Sequence, residues 1–296
     1  MKFKYINLNF IYEKMFRYIL CTLLLNSVGS FTPAVPRFNK NIKCRHLSLL
    51  SNEFIELEKS LTVNSLIAGT NIITNNKSLT KEGLLNAWVL GNILWVGYGL
   101  EGWLTGLIYF IMGSLVTKVK MKEKEELGIA EKRSGARGPE NVWGSAATAT
   151  ICVLISFSEF NNEFDNIIKL AFITSFATKL SDTFASEIGK AYGKNCYLIT
   201  NFKKVERGTE GAISLEGTLA GIIGSLIIAL YGSYSNQINY EDIYIVMLSA
   251  FIATNCESVL GVVLQDKQKW ITNEFINFLN TTIGALVSIL IKMISF

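Results

Sequence analysis

The chain has 296 residues, of which 50% are apolar and only 18% are Asp, Glu, Lys or Arg, with a net charge of +4. Soluble domains carry about 25% charged residues, so this composition argues against a soluble enzyme and favours a polytopic membrane protein. Five scattered cysteines without a CxxC pair argue against a disulfide scaffold or zinc site, and a single histidine, His46, argues against histidine-based catalysis.

The N-terminus resembles a targeting sequence. In residues 1–30, four basic side chains precede a short apolar run, which is typical of a secretory signal peptide. Residues 31–62 form a second segment with transit-peptide composition, and 31–52 contain no acidic residue. Together they predict a bipartite signal for a complex plastid. The alternative is an uncleaved signal anchor followed by a basic juxtamembrane segment.

The remaining chain, residues 63–296, is expected to be one integral-membrane domain. Its apolar stretches predict an all-α, polytopic transmembrane bundle of about six to seven helices. The expected spans are 83–99, 102–119, 141–158, 166–189, 209–232, 242–265 and 273–294. The first two are joined at Glu101–Gly102 and are either a steep pair of spans or a re-entrant hairpin.

Charge in the loops predicts the topology. Loops 118–140, 190–208 and 266–272 carry fourteen Lys and Arg residues, whereas loops 159–165 and 233–241 carry none. With the spans above, the three basic loops share one side of the membrane, which is the pattern of the positive-inside rule. In a plastid membrane this basic side is expected to face the stroma.

Ionisable residues inside the spans indicate a functional site near that basic side. Lys179, Asp182 and Lys190 follow helical spacing in segment 166–189, with Glu187 at the edge of the same face. Asp182 lies about 10 Å from the basic end at 1.5 Å per residue. The alternative is a structural ion pair between Lys179 and Asp182.

Three further segments bring polar side chains to a similar depth. They contribute Glu216, Glu257, Asn277 and Asn280 to one layer beneath the basic loops. Carboxylate and amide oxygens suit Mg²⁺, and Lys and Arg suit phosphate oxygens. These are the components of phosphoryl transfer. A phosphate monoester is already an anionic nucleophile at pH 7, so the lack of histidine mildly favours a monophosphate acceptor.

Four sequence blocks resemble a known family. They read LGIAEKRSGARGPENV at 127–142, ATKLSDTFASEIGK at 177–190, RGTEGAIS with EGT at 207–218, and WITNEFINFLNTTIG at 270–284. In this order they resemble the integral-membrane family that includes plastid phytyl-phosphate kinase and animal transmembrane protein 19. The resemblance runs from about residue 63 to the C-terminus.

The resemblance implies a membrane kinase that transfers a phosphoryl group from a nucleoside triphosphate to phytyl or another prenyl monophosphate. The product, phytyl diphosphate, would serve tocopherol and phylloquinone synthesis and phytol salvage in a plastid membrane. The expected co-substrate is ATP, CTP or UTP, with Mg²⁺ as cofactor. The expected partners are the lipid bilayer, the prenyl monophosphate and the nucleotide, without nucleic acid; the oligomeric state stays open.

The physical interpretation assigns roles within these blocks. The catalytic candidates are Asp182, Glu187, Lys179, Arg137 and Arg207. The candidates for binding substrate or nucleotide are Arg133, Asn141, Lys190, Asn273, Glu274, Asn277 and Asn280. The candidate metal ligands are Asp182 and Glu187, with Glu210 and Glu216 as further candidates.

Two rival functions stay open at this point. One is a prenol kinase or a lipid nucleotidyltransferase built from the same residues. The other is an anion transporter, which would be expected to show inverted repeats and a site near the bilayer midplane. No inverted repeat is evident in the sequence, and the polar layer lies toward one side of the membrane, not at its midplane.

Overall fold

The computed structural model describes residues 40–74, 77–157, 162–264 and 271–295. These residues form eight α-helices and three short strands. The helices are α1 (Lys40–Ile73), α2 (Lys81–Thr117), α3 (Met121–Glu126), α4 (Pro139–Ser156), α5 (Asn162–Tyr192), α6 (Leu215–Tyr234), α7 (Ile243–Leu264) and α8 (Asn273–Ile294). The predicted all-α membrane bundle is confirmed, since α2, α6, α8 and the stretch Tyr240–Leu264 are long and apolar enough to cross a membrane.

A small antiparallel sheet interrupts the helical pattern in the loop between α5 and α6. Its strands are β1 (Cys196–Leu198), β2 (Lys204–Val205) and β3 (Ala212–Ile213), in the order β2-β1-β3. Tyr197 lies opposite Ile213 in the register. The sheet folds the predicted basic loop 190–208 back over the bundle, so the loop is ordered.

Helix α2 folds back on itself as an antiparallel hairpin. Its backbone leaves the helical conformation at Tyr98 and Gly99, and Gly99 has φ +68, which favours glycine. A Cβ placed on Gly106 would lie 2.7 Å from the Leu94 side chain, although the two residues are twelve positions apart. Both halves therefore pack side by side, as the predicted spans 83–99 and 102–119 require.

The hairpin crosses the whole bundle. The carbonyl oxygen of Glu101, near its tip, accepts a hydrogen bond from the Tyr231 hydroxyl at 3.2 Å. Tyr231 belongs to the last turn of α6, at the end opposite the basic loops. The structure therefore favours the pair of spans over the re-entrant hairpin. It also moves the break from the expected Glu101–Gly102 to Tyr98–Gly99, because Glu101 and Gly102 are helical.

Helix α5 forms the centre of the bundle and packs against α2, α4, α6, α7 and α8. Its residues from Leu170 to Asp182 are all buried. The first half is apolar and its aromatic side chains fill the core, where Phe172 and Phe176 pack edge to face at 5.4 Å. The second half carries Lys179 and Asp182, so the polar side chains lie at one end of the central helix.

Glycines bring α6 unusually close to α5. A Cβ on Gly217 would lie 2.6 Å from the Ala185 carbonyl oxygen, and one on Gly224 would lie 2.8 Å from that of Leu180. The predicted close packing of these glycines is therefore present. The helix begins at Leu215, where the Ser214 side chain caps the Gly217 N–H, and not at the predicted residue 209. Glu210 consequently lies in a loop.

The N-terminal predictions fall largely outside the described residues, including the signal peptide at 1–30 and the first part of the segment at 31–62. The described part begins within that segment, and α1 continues across residues 62 and 63 without a break. Its second half packs against α2, where the Trp88 indole donates to the Ser65 hydroxyl at 3.1 Å. Helix α1 thus forms part of the folded unit.

Candidate active site

A polar cavity of about 220 Å³ lies at the end of the bundle that carries the basic loops. Helices α2 and α4 to α8 form its walls, and the loops 131–137 and 208–214 cover it. The ionisable side chains that line it are Lys179, Asp182, Glu187, Lys190, Arg137, Glu131, Glu210 and Glu257. The structure therefore gathers carboxylates and cations from several helices into one cavity, as the layer of polar residues predicts.

Lys179 is the centre of the hydrogen-bonding network. Its Nζ donates to Asp182 Oδ2 and to Asn277 Oδ1, both at 2.6 Å. The side chains of Lys179 and Asp182 are only 9% and 11% exposed. The ion pair considered as an alternative in the sequence is therefore present, but both partners also line the cavity. A lysine ammonium has three N–H groups, and these two contacts use two of them.

Two carboxyl groups from different helices meet beside this lysine. Asp182 on α5 and Glu257 on α7 both line the cavity, as does Glu210, and their carboxyl groups interact electrostatically. Carboxyl groups that share a site in this way repel one another when both are charged, unless a cation offsets the charge or they share a proton. The pair therefore provides a place where a divalent cation would be stabilised.

The donor set fits magnesium. Among the described residues, no group of three or more His, Cys, Asp or Glu side chains is arranged to hold a metal ion. Magnesium does not require such a cage, because it is usually held by one or two carboxylates together with substrate phosphates and water. Asp182 and Glu257, with the oxygen of Asn277 nearby, match this requirement.

Glu187 has a different environment from Asp182. Its carboxylate forms a buried ion pair with Lys124 from α3, and Lys190 Nζ lies 3.6 Å from its other oxygen. Lys124 is 1% exposed and also donates to the Thr117 carbonyl at 2.8 Å. This arrangement favours a structural role, in which Glu187 fixes α3 against α5. Its predicted role as a metal ligand stays a prediction.

We expect Lys124→Met to destabilise the protein by about 3–5 kcal/mol, because it leaves a buried carboxylate without its closest partner. Thermal unfolding in detergent measures this loss. The control is Lys122→Met, two residues away on the exposed side of α3. The double variant Lys124→Met/Glu187→Met should recover most of the stability, since it removes both charges. If the double variant recovers its stability but is inactive, Glu187 does more than fix α3 against α5, which would support its predicted role as a metal ligand.

Arg137 lies between the polar cavity and a second, apolar cavity. Its guanidinium carbon is 5.0 Å from the centre of the Tyr109 ring and 5.6 Å from that of Phe110. The backbone is held by hydrogen bonds from Arg137 N to Ser78 O and from Thr80 N to Arg137 O, both 3.0 Å. Within the described part of the chain, no carboxylate forms an ion pair with Arg137. It is thus a fixed cation available to an anion.

Asn141, Asn273 and Asn277 also line the cavity, as predicted. Asn141 is partly engaged elsewhere, because its Oδ1 accepts from the Gly138 N–H at 3.0 Å and from Arg133 at 2.8 Å. Asn277 contacts Lys179 directly. Among these amides, Asn277 is the one that the structure joins to a cation lining the cavity.

Several predicted site residues do not line the cavity. These are Arg133, Arg207, Glu216, Glu274 and Asn280. Arg133 pairs with Glu140 on the surface. Arg207 bonds Glu123 at 2.6 Å and so ties the loop after β2 to α3; hydrogen bonds from Lys120 and Arg207 hold the pKa of Glu123 below its usual range. Asn280 is fully buried one turn beyond Asn277, and neither of its amide atoms has a partner in the described residues.

Sequence reasoning gave no role to two important residues. The sequence places Glu257 in the polar layer but does not single it out as a ligand. Lys124 lies in a lysine-rich segment where its neighbours Lys120 and Lys122 carry the same charge, so nothing in the composition distinguishes it. A signal that could have identified Glu257 is its helical spacing relative to Thr254 and Ser258, which line the same cavity.

A bundle of apolar helices with charged residues gathered at its basic end defines a polytopic integral membrane protein. The chain belongs to the integral membrane protein family DUF92, whose family model matches residues 64–285. This confirms the family to which the four sequence blocks point. No solved structure matches the chain.

Relatives come from cyanobacteria, plants and archaea. The chain is 51% identical to the uncharacterized membrane protein sll0875 of Synechocystis over 231 residues, 78% of this chain and 89% of the relative. It is 42% identical over 240 residues to the protein VTE6, chloroplastic, of Arabidopsis thaliana, covering 79% and 72%. It is 31% identical over 222 residues to the uncharacterized membrane protein MJ0933 of Methanocaldococcus jannaschii, covering 74% and 88%. The cyanobacterial relative argues against the expected bipartite signal.

Proposed function

We propose that the protein is a membrane kinase that transfers a phosphoryl group from a nucleoside triphosphate to phytyl or a related prenyl monophosphate. The observation that carries this proposal is the polar cavity in which Lys179 contacts Asp182, with the carboxyl of Glu257 lining the same space. Binding an anion alone requires cationic groups and does not require carboxyl groups beside them, so the carboxyl groups next to Lys179 favour a kinase over an anion carrier. The similarity to the chloroplastic protein VTE6 supports a plastid membrane as the location, with the basic loops facing the stroma.

The reaction requires little covalent participation by the protein. An oxygen of the acceptor monophosphate attacks the γ-phosphorus of the triphosphate, and the bond to the β–γ bridging oxygen breaks, which releases the nucleoside diphosphate. The attacking oxygen is already largely deprotonated, because the second pKa of a phosphate monoester is about 6. No general base is therefore needed, in agreement with a cavity without histidine.

The residues of the cavity divide this work between them. Lys179, Lys190 and Arg137 bind phosphate oxygens and offset their mutual repulsion. Asp182 and Glu257 would hold Mg²⁺, with Glu210 as a further oxygen donor. When bound, this ion neutralises negative charge on the triphosphate. Asn277 keeps the Lys179 ammonium in position.

The test is an assay with the purified full-length protein in detergent. Phytyl monophosphate, Mg²⁺ and each of ATP, CTP, GTP and UTP are supplied, and mass spectrometry identifies the lipid product. We expect phytyl diphosphate that disappears when EDTA is added. A product only from phytol would indicate a prenol kinase, and a nucleoside monophosphate attached to the lipid would indicate a nucleotidyltransferase. Folded protein that makes no lipid product at all would contradict the proposal.

A further inference from the structure

A second cavity, of about 150 Å³, lies between α1 and the α2 hairpin. Most of its lining is apolar, and small residues make room for it on both sides. The small residues are Ala68 on α1 and Ala87, Gly91 and Gly106 on α2. Helical rise places the lining residue Leu94 about 16 Å from Gly83, which lies beside the backbone of Arg137. The cavity is therefore elongated along the hairpin.

Several of the polar groups that line this cavity are already engaged. Asn64 Oδ1 accepts a hydrogen bond from the Trp103 indole at 3.0 Å, and its Nδ2 donates to the Ser60 carbonyl at 2.9 Å. The Tyr109 hydroxyl donates to or accepts from Ser145 Oγ at 2.9 Å. An occupant therefore gains little by offering hydrogen-bonding groups, and a hydrocarbon suits the space best.

The apolar cavity adjoins the polar cavity. Four residues line both of them, namely Tyr109, Arg137, Asn141 and Ser145. The Arg137 guanidinium, stacked on Tyr109 and Phe110, lies at this junction. A molecule that occupied both spaces would have a hydrocarbon chain on one side of Arg137 and an anionic group on the other. This is the chemistry of a lipid monophosphate.

We propose that the cavity between α1 and the α2 hairpin holds the prenyl chain of the acceptor, and that Arg137 binds the acceptor phosphate at its mouth. This inference rests on the proposed kinase function, whose acceptor is a prenyl monophosphate. The acceptor phosphate then enters the polar cavity from the α2 side, facing Lys179 and Asp182 on α5. The nucleotide then occupies the opposite part of the polar cavity, under the loop 208–214.

The first test fills the cavity. Ala87→Leu and Ala68→Leu place two larger side chains in its lining, and Gly69→Leu is the control, because a Cβ at Gly69 meets no atom within 4 Å. We expect Ala87→Leu to raise KM for phytyl monophosphate at least about tenfold and KM for the shorter geranyl monophosphate less than about threefold. KM for the nucleotide should stay unchanged. Equal effects on both lipids, or the same effect from Gly69→Leu, would overturn the proposal.

The second test does not depend on turnover. A prenyl monophosphate carrying a photoreactive diazirine near its chain end is crosslinked to the full-length protein, and peptides are mapped by mass spectrometry. We expect adducts within residues 64–71 and 84–107, with competition by phytyl monophosphate and not by phosphatidylglycerol. Adducts elsewhere, or equal competition by the phospholipid, would overturn the proposal. Adducts at the expected residues in a protein without kinase activity would contradict the proposed function but support the chain-binding site.

Discussion

Asp182→Asn is expected to lower the turnover of phytyl monophosphate by at least about 10²–10³-fold while the protein remains folded. Asparagine has the same shape and can still accept a hydrogen bond from Lys179. It cannot carry the negative charge that the pair with Glu257 would supply to a divalent cation. The measurement is kcat with saturating nucleotide and Mg²⁺, normalised to folded protein by gel filtration.

The chain offers a matched control for this variant. Asp242, at the opposite end of the bundle, is also buried and also pairs with a lysine, because Lys292 Nζ donates to its Oδ1 at 2.7 Å. Asp242→Asn therefore removes a comparable charge from a comparable environment far from the cavity. Asp242→Asn should lower the stability to a similar degree and leave kcat within about twofold. A loss of kcat that occurs only in Asp182→Asn then measures the electrostatic contribution of Asp182 to turnover. Asp182→Asn with wild-type kcat would show that the metal assignment is wrong.

Arg137→Gln is expected to lower kcat/KM for phytyl monophosphate by about 10²-fold or more, since each hydrogen bond to a charged group contributes about 1.5–3 kcal/mol. A guanidinium can donate two such bonds to one phosphate, and Arg137 has no carboxylate partner in the described residues to compete for them. The loss should fall mainly on KM for the lipid, with KM for the nucleotide little changed.

Arg133 provides the comparison for Arg137. Both were assigned to phosphate binding from the sequence, but Arg133 lines neither cavity and is paired with Glu140. Arg133→Gln should therefore have a much smaller effect on kcat/KM than Arg137→Gln. Arg137→Lys should be intermediate, because a lysine keeps the charge without the paired geometry. Equal losses at both arginines would contradict the position assigned to the acceptor phosphate.

The all-α membrane class could be predicted from the sequence, because long apolar segments have few alternatives in a bilayer. The number of spans and their boundaries could not, since four stretches of the described residues are long and apolar enough to cross a membrane and the sequence predicted about six to seven. The sequence has glycines at 99 and 102, and hydropathy does not distinguish them; the structure uses the first for a left-handed turn and the second for close packing. The start of α6 was placed too early because Gly208 and Gly211, both with positive φ, lie in a stretch whose apolar character continues into the helix.

The candidate site was partly predictable for a similar reason. Helical spacing placed Lys179 and Asp182 on one face, since residues three apart share a face, and depth in the membrane placed Asn277 in the same layer. Spacing along single helices does not reveal which partner a side chain meets on another element. Arg207 and Arg137 carry the same charge, and the sequence does not distinguish them. Tertiary packing pairs Arg207 with Glu123, whereas Arg137 lies at the junction of the two cavities.

The hairpin form of α2 also determines the order in which the two cavities can be built during synthesis. All the residues that line the apolar cavity lie between positions 64 and 176. The polar cavity requires Glu257 on α7 and Asn277 on α8, which leave the ribosome last. Because domains assemble from the N-terminal side as the chain emerges, the residues that line the apolar cavity are all synthesised before the helices that complete the polar cavity.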